Sequence, residues 1–129
     1  MVFNIKHTLI LKEGCRKEFD ILRVKMKMMS SFSEDDRYAY EMSGMFRFNR
    51  DGSISIIYHR RNDLGQFAMS FYMELLFRRI SHLFENGFLK ITCSSERYYK
   101  YEIREGVLNL STGYAPEEMA GLINEIQRG

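Results

Sequence analysis

Residues 63–86 read DLGQFAMSFYMELLFRRISHLFEN, and this stretch decides how the rest of the chain must be arranged. Its spacing predicts one long helix. Asn62 or Asp63 can cap the start, Asp63 and Gln66 have capping-box spacing, and Asn86-Gly87 offers a stop. Polar residues fall on a narrow stripe of Gln66, Ser70, Glu74, Arg78, Ser81 and Glu85. Leu64, Phe67, Ala68, Met69, Phe71, Tyr72, Met73, Leu75, Leu76 and Phe77 fill the rest of its first half. A helix apolar over most of its circumference is covered on more than one side. Helices predicted at 15–29 and 116–127 are the expected cover, with a partner protein as the alternative.

On the N-terminal side, residues 38–61 read as a hairpin turning at Arg50-Asp51-Gly52. Phe46 and Phe48 share one side of it, and Ile54, Ile56 and Tyr58 share a face of the partner strand. Ser30, Ser31, Ser33, Glu34, Asp35 and Asp36 read as a polar, acidic loop. Before it, residues 15–29 read as a helix buried through Cys15, Phe19, Leu22, Met26 and Met29. Ile21, Val24 and Met28 are read as widening that buried face. Residues 2–11 alternate as a strand.

On the C-terminal side, residues 88–94, 97–104 and 107–111 read as strands, the last two joined at Glu105-Gly106. Alternation puts Tyr99, Tyr101 and Ile103 in the core and Tyr98, Lys100, Glu102 and Arg104 outside. Pro116 suits the first position of a closing helix with Met119, Leu122, Ile123 and Ile126 inward. The order is β-α-β-β-α-β-β-β-α. It predicts one α+β domain over residues 1–129, an antiparallel or mixed sheet packed by about three helices. The first two thirds have the element order of a ferredoxin-like split βαβ unit.

Composition narrows the function classes. The chain has 129 residues, 45% of them apolar, and a formal charge of +2. That length buries a sizeable core without metal or disulfide help. Cys15 and Cys93 read as free thiols, since secreted domains of this size carry more cysteines at tighter spacing. No uncharged apolar run approaches the roughly 18 residues that span a bilayer. The first residues alternate without an apolar leader core, so the expected location is the cytoplasm, away from membrane.

Chemistry-bearing motifs are scarce. His7, His59 and His82 show no ligand spacing, and no metal site is expected from them. No glycine-rich phosphate loop or nucleophile elbow occurs, so no small-molecule cofactor is expected. The expectation is a non-enzymatic protein that docks on another protein or on a second copy of itself. Composition alone suggests a phage-type regulator of host machinery such as transcription. The expected interface is Phe67, Met69, Phe71, Tyr72 and Met73, with Arg78 and Arg79 at the rim. An alternative is RNA or single-stranded DNA binding by basic-aromatic strands. Tyr58, His59, Arg60 and Arg61 would serve on one strand, and Arg97, Tyr98 and Lys100 on another. A third reading is a small nuclease using His59, with Arg60 and Arg61 stabilising phosphoryl charge.

Overall fold

A computed structural model describes residues 3–57 and 65–116. Its elements are β1 (Phe3–His7), α1 (Cys15–Met29), α2 (Glu34–Ser43), β2 (Phe46–Phe48), β3 (Ile54–Ile56), α3 (Gln66–Ile80), β4 (Gly87–Cys93), β5 (Arg97–Arg104) and β6 (Val107–Tyr114). A single 3-10 turn, Ser81–Leu83, ends α3. The chain is thus α+β, with an antiparallel four-stranded sheet in the order β1-β4-β5-β6 and a separate β2-β3 hairpin.

Helix α2 replaces the expected acidic loop. Ser33 is extended and its Oγ accepts the Asp36 backbone N–H at 3.3 Å, which satisfies one orphan donor of the first turn. Glu34, Asp35 and Asp36 sit where the helix dipole favours negative charge. The acidic run is therefore a helix start, and the hairpin shrinks to two three-residue strands. Its turn keeps the expected form: Asp51 Oδ1 accepts from Ser53 N–H at 2.9 Å, and Gly52 takes φ +86°. The Ser53 hydroxyl and amide hold the Asp51 carboxyl below its ordinary pKa.

α2 also explains the apolar circumference of α3. One side of α3 meets the sheet, where Phe77 stacks on Tyr101 at 5.3 Å and the Tyr101 hydroxyl donates to the Ser70 carbonyl at 2.7 Å. The other side meets α2, where Tyr72 stacks on Tyr38 at 3.9 Å and Arg79 pairs with Asp36 at 3.0 Å. The helix read at 15–29 adds cover, while the closing helix read at 116–127 lies almost wholly outside the described residues. Met73, Leu76, Phe77 and Ile80 are fully buried as a result. Each such side chain contributes about 1.5–3 kcal/mol relative to exposure.

The hairpin does not enter the sheet. Phe19 of α1 contacts Phe48 at 4.9 Å and Phe46 at 6.0 Å, and Phe46 reaches Phe77 and Phe84. These rings hold β2-β3 against the helices. A split βαβ unit would join β1 and the strand after the first helix in one sheet. Here β1 does pair antiparallel with β4, as in that topology, but the β2-β3 hairpin forms its own sheet and β5 and β6 extend the main one instead, so the ferredoxin-like order does not become a ferredoxin-like sheet. The start of α3 also differs from expectation. Gly65 is its N-cap, with no side-chain cap bond, and Asn62 and Asp63 lie outside the described residues.

The β5-β6 hairpin turns on Glu105 and Gly106, both at positive φ (49° and 77°), as a two-residue type I′ turn requires. Asn86 Oδ1 accepts the Glu105 N–H at 2.9 Å and fixes the tip. At the far end, the Tyr98 ring lies over Gly113, where a Cβ would come within 2.8 Å of it.

Candidate docking surfaces

Helix α1 is apolar on two opposite faces. Phe19 and Met26 are buried and Leu22 packs partly against the core. Ile21, Val24 and Met28 were expected to widen that face; instead they are 45%, 58% and 70% exposed. Helical geometry supplies the reason. At 3.6 residues per turn their mean direction lies roughly 180° from that of Phe19, Leu22 and Met26. Lys17 and Lys25 flank this outer stripe, and Asp20 beside it is held by Arg16 at 3.4 Å. Beyond the helix end, the Phe32 ring is also exposed.

Helix α3 divides the residues expected to form the interface. Phe67 and Phe71 are 66% and 49% exposed, and fit the expectation. Met69 and Met73 are fully buried, because their side of the helix faces the core. Tyr72 is half-buried under Tyr38. Arg78 pairs with Glu74 at 2.7 Å on the surface, whereas Arg79 is half-buried against Asp36 and the Leu75 carbonyl. Only Phe67, Phe71 and Arg78 of this set therefore face solvent openly. Phe71 also edges a groove of about 350 Å³ between α3 and the sheet, lined by Ser70, Glu74, Tyr99, Leu110 and Thr112 among others. The Tyr99 hydroxyl is buried and unpaired among the described residues.

The basic-aromatic strands are also divided. Tyr98 and Lys100 lie on the outer sheet face. Arg97 lies on the helix side with Tyr99 and Tyr101, its guanidinium 5.7 Å from the Tyr114 ring centre. Tyr58, His59, Arg60 and Arg61 lie outside the described residues. Register adds a feature that the sequence alone did not show. Lys6 is opposite Lys90, and Lys90 opposite Lys100, which forms a row across three strands. Lys90 Nζ sits 4.5 Å from the Tyr98 ring centre and Lys100 Nζ 4.9 Å from that of Phe88. Glu102 is 3.7 Å from Lys100. Like charges directly opposite in a sheet are unfavourable unless something offsets them. Here the ring faces and Glu102 do so in part.

Among the described residues no three His, Cys, Asp or Glu side chains gather where they would hold a metal ion. His7 Nδ1 accepts the Leu9 N–H at 3.2 Å, and His82 is exposed at the end of α3. Cys15 and Cys93 are free thiols. Among the described residues no helix is long and apolar enough to cross a membrane. No protein-family profile, curated protein or solved structure matches the chain. The functional reading therefore rests on surface chemistry.

The α1 stripe was open to sequence reasoning, since the angular arithmetic separates Ile21, Val24 and Met28 from the buried set. The lysine row was not, because cross-strand neighbours depend on register.

Proposed function

We propose that the protein works by docking on another protein through the outer face of α1, and that it is not an enzyme. The observation that carries this is the second apolar stripe, Ile21, Val24 and Met28, directly opposite the buried one. A surface helix needs one apolar face to fold; a second aligned one serves a partner. The ammonium groups of Lys17 and Lys25 at its edge favour a partner whose apolar patch is rimmed by carboxylates. Phe67 and Phe71 offer a lesser patch at the start of α3.

The test is affinity capture with the full chain under nuclease treatment, repeated with variants. One protein near stoichiometry is expected, lost with Val24→Glu and Met28→Glu and kept with Tyr98→Ala. Circular dichroism is expected to match the parent for all three. A partner that stays bound to Val24→Glu and leaves with Phe71→Glu would move the surface to α3. Capture that collapses under nuclease would set the docking reading aside.

The lysine row favours a second reading, contact with single-stranded nucleic acid on the outer sheet face. Phe88 and Tyr98 would lie beside the backbone track, as in stacking platforms elsewhere. Three phosphate contacts by Lys6, Lys90 and Lys100 would weaken binding about 20-fold between roughly 50 and 200 mM salt. Fluorescence anisotropy with mixed-sequence oligonucleotides measures this directly, and Lys90→Gln with Lys100→Gln should abolish most of it. Salt-insensitive or absent binding rules the reading out.

A further inference from the structure

Strand β6 is an edge of the sheet among the described residues and runs for eight residues, Val107–Tyr114. Its sequence, VLNLSTGY, carries no charge and no proline, and Ala115 and Pro116 continue without charge. Natural edge strands are usually blunted by lysine, proline, a bulge or short length, because an open edge invites pairing. This one has none of these devices.

The outward-facing backbone groups can be assigned. In an antiparallel ladder, alternate residues point N–H and C=O at the neighbour, and the residues between point away. The Ala115 N–H donates to the Glu96 carbonyl at 2.8 Å, and the Thr112 hydroxyl donates to the Tyr98 carbonyl at 2.8 Å. Both place the carbonyls of Glu96 and Tyr98 toward β6. With the register Tyr98↔Gly113 and Arg97↔Tyr114, residues 107, 109, 111 and 113 bond β5. Leu108, Leu110, Thr112 and Tyr114 point their amides and carbonyls outward.

We propose that this edge pairs with the same edge of a second copy, antiparallel about a twofold axis at Ser111. That register sets Leu108 against the partner's Tyr114 and Leu110 against the partner's Thr112. Every outward residue of β6 gains a partner. The side chains involved share the helix-side face, so Tyr114, 69% exposed, and Leu110, 43% exposed, gain cross-strand neighbours. A second copy is favoured because the strand is neutral and self-complementary: identical edges meet without like-charge contacts, as an isologous interface requires. The surface is separate from the outer face of α1, so it stands or falls independently of the docking reading.

The test uses the full chain. Sedimentation over a range of concentrations should show a reversible dimer, and Leu110→Lys should leave a folded monomer, judged by circular dichroism. In a Cys15→Ser background, Ser111→Cys places two thiols across the axis. The Cα separation there is about 4.5 Å, within disulfide reach. Oxidation should crosslink Ser111→Cys nearly completely and Asn109→Cys hardly at all, since Asn109 faces the partner's Gly113. The proposal is overturned by a monomer at the highest concentration reached, by equal crosslinking at both positions, or by a dimer that survives Leu110→Lys and dissolves with Val24→Glu. A chain that is monomeric alone yet holds an extended peptide at this edge overturns it too.

Discussion

Cys93 ends β4 with its side chain fully buried in the core, and burial pushes its thiol from the ordinary 9.0 up to about 11. Tyr101 is displaced upward as well, chiefly by burial. Both groups bind protons more tightly folded than unfolded. Their contribution to stability is therefore complete below the unfolded value and is lost as pH rises through the folded one. Stability should start to fall near pH 9, and Cys93 alone should account for a loss of about 2 kcal/mol by pH 11. Urea midpoints at pH 8, 9.5 and 10.5 measure the slope, which Cys93→Ala should flatten. In the folded chain at pH 8, a thiol reagent should modify Cys15 well before Cys93. The alternation along residues 97–104 had placed Tyr101 and Ile103 inward, and both are buried. The fate of Met69 and Met73 was not legible, because helix periodicity shows which side chains are apolar but not which of them a neighbour covers.

At the scale of elements, the two apolar faces of α1 should respond differently to mutation. Met26→Ala removes a buried side chain and should cost about 2–5 kcal/mol. Val24→Glu changes an exposed one and should stay within about 0.5 kcal/mol. Equal losses in thermal or urea unfolding would mean that Val24 is covered, and the docking face would disappear with it. α2 gives a second test. Ser33→Ala removes the cap bond to Asp36 and should cost about 0.5–2 kcal/mol, toward the low end for a 3.3 Å bond. The signature of α2, a serine followed by three acids, stands in the sequence as a helix start. An acidic run also suits a solvated loop, so the spacing alone does not separate the two. α1 and β5 begin and end where the sequence pattern places them, since each shows a clean period over its full length.

At the scale of the molecule, an ion pair joins α2 to α3 among the described residues: Arg79 and Asp36, 28% and 20% exposed. Being partly buried, it is screened less than a surface pair. A double-mutant cycle with Arg79→Leu and Asp36→Leu should give a coupling of about 0.5–3 kcal/mol that changes little between low and high salt. A coupling near zero would mean that the helices are held by Tyr38, Tyr72 and the apolar core alone. By itself the sequence determined the α+β class, most element positions, the inward side of β5 and the free state of both thiols. Those follow from local periodicity, turn residues and cysteine count, which act over a few residues. The tertiary structure decided that β1 joins β4 and that the hairpin stays out of the sheet. It also decided that α2 covers α3, that α1 turns a second apolar face outward, and that three lysines line up across the sheet. Each of these joins residues far apart along the chain, and pairing and packing at that range are set by which surfaces fit together, not by the spacing of neighbours in sequence.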